Sequence, residues 1–261
     1  MKHKLGFLIA SMLALTRPAY AAADATNYAT DLTVLSAAAM KGVVQNVPDH
    51  FFAETGAHVH FVFGTAGQIR EKVLAGDRFD VVIIPPPLLA DLAKRGLVKG
   101  KSIKDVGSVR IGAAVKAGDP LPKIGDEASF KQTLLGAASI GMADPGTGAT
   151  SGIYLAKLMD RLGVTEAIRA KVKYYPEGQT AMEAMAKGEV ALGIGQTSEI
   201  MPVPGVTLVG PIPENLQLKT IYAAGTASKG SSQVLAQKFL AYVTGPQVRA
   251  SLKANGFDPG S

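Results

Sequence analysis

The sequence predicts an α/β protein whose parallel sheet is covered by helices on both faces. Three observations carry this. Short buried-type apolar runs alternate with amphipathic helical patterns. The turns leading from a run into a helix are rich in small residues, as in "SAAAMKG", "GTAGQIR", "GTGATSGIY" and "YPEGQTA". Finally, 261 residues, 47% hydrophobic and 18% charged, suffice for one large domain or two small ones with real cores.

The elements follow in order. "MKHK" is a positive n-region, "LGFLIASMLAL" an apolar run too short to span a bilayer, and "AYA" at Ala19–Ala21 a small-x-small cleavage site. Residues 1–21 therefore read as a signal peptide, and the mature chain is expected to start near Ala22, exported and with no lasting membrane insertion. "LTVLSAA" is a buried-type strand, followed by a helical pattern from about Met40 to Thr55. "HVHFVFG" and "FDVVIIP" are further strands, each followed by a helix, from Gln68 and after "PPP". "VRIGAAVKAG" reads as one longer strand. "ASIGMADP", "VKYYPEG", "ALGIGQT" and "LKTIYAAGTA" complete the strands, and the tail closes as two helices broken at Gly245–Pro246.

Charge and composition exclude several functions. Removing residues 1–21 takes away Lys2, Lys4 and Arg17 and no acid, so the formal charge falls from +6 to +3. That mild excess lacks the clustered basic stripe of a nucleic-acid binder, and suits a small anion. There is no cysteine for thiolate or disulfide chemistry, and the four histidines show no metal spacing. No cofactor or metal is expected.

The small-residue turns point to chemistry. The first amides of a helix have no intrahelical partner, and the macrodipole is positive there. Small side chains let an anion approach them, and in an open sheet such turns gather at the carboxyl ends of the strands. One such turn is common; four favour an anion cleft.

At these residues the chain resembles the periplasmic solute-binding proteins of the molybdate and tungstate type. The segments are "LTVLSAAAM", "FGTAGQIREKVLAGDRFDVVI", "DPGTGATSGIYLAKLMDRLG", "AMAKGEVALGIGQTSEI" and "AQKFLAYVTGPQVRASLKANGF". The resemblance implies the two-lobe, type II periplasmic-binding-protein fold with two crossing strands and a ligand cleft between the lobes. "SVRIGAAV" and "LKTIYAAG" match the crossings. Residues 24–110 with 221–261 would form lobe I, and residues 111–220 lobe II. A partner ABC permease would follow.

The departures narrow the ligand. The serines of molybdate binders in the first two turns fall on Ala39 and Gly67, and the tyrosine of the last site strand on Gln196. Each lost hydrogen bond to a charged group is worth about 1.5–3 kcal/mol. Lys41, Gln68 and Arg70 stand nearby. They suit a larger, flatter anion with two or three carboxylates, and Arg70 offers a bidentate fork. Within the family the altered turns and "MPVPGVTLVGPIPENLQ" are similar to the aconitate isomerases. That resemblance implies exported, metal-free interconversion of trans- and cis-aconitate; the alternative is a transport receptor for a tricarboxylate or a molybdate-like oxyanion. The expected binding residues are Ala39, Met40, Thr65, Gly67, Gln68 and Arg70 from the first turns, and Thr150, Ser151, Gly178, Gln179 and Gln196 from the later ones. Thr150 and Ser151 read equally as plain N-caps. Lys41 is the expected general base and Glu199 the second choice, although Glu199 also fits an acidic first turn of a helix.

Overall fold

A computed structural model describes residues 31–259. The expected signal peptide lies outside the described residues. The first strands are β1 (Asp31–Ala37), β2 (His58–Gly64), β3 (Val81–Ile84) and β4 (Lys104–Val109). Then follow β5 (Ile111–Lys116), β6 (Ile140–Ala143), β7 (Val172–Tyr175) and β8 (Leu192–Gln196). The last are β9 (Val206–Pro211), β10 (Thr220–Thr226) and β11 (Phe257–Pro259). They form two sheets, ordered β11-β4-β10-β3-β1-β2 and β7-β6-β8-β5-β9. Helices cover both, giving the two-lobe α/β fold of periplasmic binding proteins.

Both sheets are mixed, which corrects the expectation of parallel pairing throughout. β1, β2 and β3 run parallel, as do β6, β7 and β8, but β10 runs antiparallel to β3 and β4, and β5 antiparallel to β8 and β9. The reason lies in the crossings. The predicted single strand "VRIGAAVKAG" breaks at Arg110, ending β4 in one sheet and starting β5 in the other. A strand that leaves one lobe enters the next against its parallel core. Gln217 stitches the two crossings together: its Oε1 accepts from the Ile111 amide at 2.7 Å, and its Nε2 donates to the Ile111 carbonyl at 3.0 Å.

The helix expected from Met40 to Thr55 is also divided. A short helix Lys41–Val44 ends before a second one, Val47–Thr55. Pro48 sits in the first turn of the second helix. Its ring has no amide and would clash with the carbonyl of Val44 in a continuous helix.

Each lobe has its own core. β1, β3 and the strand-covering helices bury Leu32, Val34, Ile83, Leu89 and Phe239, with Phe51 edge-on to Phe239 at 5.5 Å. The second lobe buries Phe130, Leu134, Leu155 and Ile194, and a smaller cluster surrounds Met182 and Met185. Each lobe thus buries its own apolar clusters, and polar contacts join the lobes, among them Thr197 Oγ1 to the Gly256 carbonyl at 2.9 Å and the Gly67 amide to the Gly148 carbonyl at 3.1 Å. Such an arrangement lets two rigid bodies move about their crossings.

Candidate functional site

The carboxyl ends of β1, β2, β6, β7 and β8 converge where the lobes face each other, and helices start immediately after them. Between them lies a small, partly open cavity of about 20 Å³, roughly the space of one water molecule. Two wider, open grooves lie elsewhere, one beside Asp80 and Arg95, the other along the outer lip at Gln68 and Gly146. The small cavity gathers the ends of β1, β2, β6, β7 and β8, whereas the groove at Gln68 and Gly146 spans the two lobes only at the turns after β2 and β6.

Of the expected residues, Ala39, Thr65, Thr150, Ser151, Gln196 and Glu199 line this cavity. Ala39 contributes a methyl group and no donor. Thr65 caps the helix Ala66–Ala75: its hydroxyl oxygen accepts from the Gln68 amide at 3.2 Å, and the Gln68 carboxamide oxygen accepts from the Thr65 amide at 2.9 Å. This reciprocal capping satisfies donors that the sequence reading assigned to an anion. The helix Thr150–Arg161 is different. Its N-cap is Ala149, which has no side-chain cap, so its first amides and the hydroxyls of Thr150 and Ser151 are left to face the cavity.

Four other expected residues have different work. Met40 is fully buried in the lobe I core. The Gly67 amide donates to the Gly148 carbonyl of the opposite lobe at 3.1 Å. The Gln179 carboxamide donates to Glu183 at 2.9 Å, one turn along its own helix. Gly178 donates its amide to Glu199 Oε1 at 3.2 Å. A Cβ on Gly178 would lie 2.2 Å from Glu199 Oε2, so only glycine leaves room for the carboxyl there.

Arg70 and Lys41 do not reach the cavity. The Arg70 guanidinium donates through Nε and Nη2 to Asp91 Oδ2 at 3.1 and 2.7 Å, and through Nη1 to Glu71 at 2.6 Å. Asp91 lies on the neighbouring helix Pro86–Lys94 and also accepts from Arg95 at 3.1 Å. The bond to Asp91 raises the Arg70 pKa and lowers that of Asp91. The fork that fits a ligand carboxylate is taken by a protein one on the outside of lobe I. Arg70→Ala is therefore expected to leave ligand affinity at the wild-type value in calorimetric titration; a clear loss would return Arg70 to the cleft. Lys41 opens its helix exposed to solvent. With Met40 turned into the core, the next residue points about 100° away.

The dominant chemical group is Glu199. It is 7% exposed, and its Oε2 has no protein partner among the described residues. Burial pushes its pKa up to about 7, against the pull of backbone amides at Gln196 and Gly178, and the charge of Glu177 adds to the rise. Among the described residues no lysine, arginine or histidine lines the cavity, whereas Glu177 does. Sequence reading missed Glu177 and Tyr222, both lining residues. Glu177 stood inside the quoted "YPEGQTA", one place before the glycine that marks the helix start. Tyr222 was hidden in an apolar crossing strand with nothing local to separate it from packing. Tyr154, by contrast, donates its hydroxyl to the Leu216 carbonyl at 2.8 Å, and Asp80 accepts from Thr33 and Ser231 at 2.9 and 2.6 Å. Both hold the fold together. Among the described residues no group of three or more His, Asp or Glu could hold a metal ion, and no helix is long and apolar enough to cross a membrane.

Comparison with known proteins agrees with this architecture. Residues 32–258 match the family described as bacterial extracellular solute-binding protein. An aconitate isomerase from a Pseudomonas species is 30% identical over 236 residues, with 88% of each chain covered. The molybdate-binding protein ModA of Escherichia coli K12 is 24% identical over 228 residues, covering 87% of this chain and 88% of its own. Among solved structures, the periplasmic molybdate-binding protein of Azotobacter vinelandii superposes with a TM-score of 0.74 at 19% identity, covering 88% of this chain and all of that one. The sulfate-binding protein SubI of Mycobacterium tuberculosis gives 0.72 at 21%, with 88% and 87% covered. The chain belongs to the bacterial extracellular solute-binding proteins.

Proposed function

We propose that the protein is a periplasmic isomerase that interconverts trans- and cis-aconitate in the interlobe cleft. The observation that carries the reading is Glu199, a buried carboxyl that lines the interlobe cavity and whose Oε2 has no protein partner among the described residues. A pure receptor for a polyanion gains nothing from an acid there, and a proton-transfer enzyme needs one. The 30% identity to an aconitate isomerase supports the same substrate.

The step runs as follows. Ionised Glu199 takes a proton from the substrate methylene carbon. The C–H electron pair moves into the adjoining carbon–carbon bond, and the old double bond opens into a carboxylate-stabilised dienolate. The Glu199 carboxylic acid then returns the proton to the far end of the allylic system, leaving the double bond shifted by one position. A base poised near working pH contributes about 10²- to 10⁴-fold in rate. The uncapped amides at the start of Thr150–Arg161, with Thr150 and Ser151, hold carboxylates where negative charge builds. A carboxylate-bearing substrate close to Glu199 raises its basicity further. Glu199 replaces Lys41 as the base because Lys41 lies outside the cavity. The decisive experiment incubates purified protein with trans-aconitate and follows cis-aconitate by chromatography; tight binding without turnover would sink the isomerase.

The second reading, a receptor that delivers a di- or tricarboxylate to an ABC permease, is favoured by the family to which the chain belongs. Both readings place the chain in the periplasm after loss of residues 1–21, and the intact mass of exported protein is expected to begin within a few residues of Ala22. A secreted chain retaining Met1 would refute that export route. Both also expect weak molybdate and tungstate binding, because Ala39 supplies no hydroxyl and the Gly67 amide is engaged by Gly148. Submicromolar molybdate affinity by calorimetry would contradict them.

A further inference from the structure

Gln196 is the last residue of β8 and is 1% exposed. Its Oε1 accepts a hydrogen bond from the Tyr222 phenol at 2.9 Å, and its Nε2 has no protein partner among the described residues. Both side chains line the cleft cavity. Tyr222 is 3% exposed on β10, in the first lobe's sheet, while Gln196 belongs to the second. The bond therefore crosses between lobes, beside the segment where β10 leaves the crossing. Thr150 also lines the cavity beside this pair.

A free buried amino group costs free energy unless something accepts from it. Among the described residues the cavity has no cationic side chain and two acidic ones, Glu177 and Glu199. Its acceptors do not solve the problem of holding an anion; its few neutral donors must. Thr65 donates its hydroxyl to the Thr147 carbonyl and Tyr222 donates to Gln196, leaving Thr150, Ser151 and the Gln196 amino group.

We propose that Tyr222 is a positioning residue that fixes the Gln196 carboxamide, so that Gln196 Nε2 donates to a carboxylate of the ligand when the lobes are closed. This rests on the carboxylate reading of the cleft. The phenol locks which end of the amide faces the ligand, because the hydroxyl donates to the oxygen and leaves the amino group outward. The donor thus comes from one lobe and its orientation from the other, which ties ligand recognition to closure. The pair also discriminates by chemistry: a ligand offering only donors at this point gains nothing from the amino group.

The test uses Tyr222→Phe, Gln196→Met and the double variant, with trans-aconitate as probe in calorimetry and in steady-state kinetics. Methionine keeps the volume of glutamine without its amide. Gln196→Met is expected to weaken binding about 10- to 100-fold, as for loss of a hydrogen bond to a charged group. Tyr222→Phe is expected to weaken it about 10-fold and to raise KM more than it lowers kcat. Because Tyr222 acts through Gln196, the double variant should bind no worse than Gln196→Met alone. A structural role of the phenol would instead give losses that multiply, and that result overturns the proposal. Wild-type affinity in Tyr222→Phe overturns it as well. Should the wild-type protein bind no di- or tricarboxylate at all, the reading of the cleft falls and the proposal with it; binding by wild type with an unaffected Tyr222→Phe removes the proposal alone. If Gln196→Met does not fold, Gln196→Glu takes its place, and undiminished binding by that carboxylate variant also overturns the proposal.

Discussion

Glu199→Gln is expected to abolish trans-aconitate turnover to within about 10²- to 10⁴-fold below wild type while binding persists. The amide keeps the shape and still accepts from the Gly178 amide, but it cannot take a proton. The wild-type pH profile should carry the same signature. With a pKa near 7, Glu199 is ionised above that pH and neutral below it. Since the base form is the ionised one, kcat/KM should rise through about 7 and fall off on the acid side. A profile flat from pH 5 to 8, or turnover retained in Glu199→Gln, would remove Glu199 from the reaction.

The same group makes a stability statement with the opposite emphasis. In the unfolded chain the carboxyl titrates near its ordinary value of 4.5, and in the folded protein near 7. Between these values the folded protein holds a proton that the unfolded chain has lost. Stability contributed by the neutral acid is therefore present below 4.5 and is lost as pH rises through about 7. A shift of this size corresponds to something on the order of 3 kcal/mol. Glu199→Gln should then be more stable than wild type at pH 8 and similar to it at pH 4, measured by denaturant midpoints. Holding a destabilising acid at the centre of the cleft is easier to understand in an enzyme than in a receptor.

The sequence disclosed the architecture well and the site unevenly. Alternation of apolar runs and helices, and small residues after the strands, follow from local rules that tertiary packing seldom overrides. β9 and β11 were missed because each is an edge strand with only partial burial or three residues of length. Residues tied to strand ends, such as Thr150, Ser151 and Gln196, do line the interlobe cavity to which their turns pointed. Arg70 was misread because sequence shows its distance from Gly67 but not Asp91, 21 residues on, which captures its guanidinium across two helices. Lys41 failed for a related reason: two residues of helical rotation separate Ala39 at the cavity from Lys41 in solvent. Tyr222 escaped notice because its value comes from Gln196, 26 residues earlier and in the other lobe. Long-range partnership is what local patterns do not encode.

Gly67→Ala is expected to impair closure of the lobes. A Cβ at Gly67 would lie 2.7 Å from the Gly148 Cα and 3.1 Å from its carbonyl oxygen, and both obstacles are backbone. Gly148 already sits at φ 75°, a left-handed conformation that suits glycine. It cannot retreat cheaply, because its carbonyl accepts the Gly67 amide and the neighbouring Thr147 carbonyl accepts the Thr65 hydroxyl. These are among the contacts by which the two lobes touch beside the cavity, with the Tyr222–Gln196 bond. Overpacking at such a point costs about 1–3 kcal/mol, which shifts the closing equilibrium roughly 5- to 150-fold toward the open form. Ligand affinity should fall by a similar factor, since only the closed form encloses the ligand. Small-angle scattering should show the ligand-free variant more extended than wild type, and calorimetry the loss of affinity. Gly67→Ser sharpens the argument. It restores the residue that molybdate binders of the resembling type carry at this place, yet it brings the same Cβ into the same backbone. Restored molybdate binding in Gly67→Ser would show that the lobes can part slightly and still hold an anion. Weaker binding of every ligand would show that the serine was replaced by a latch.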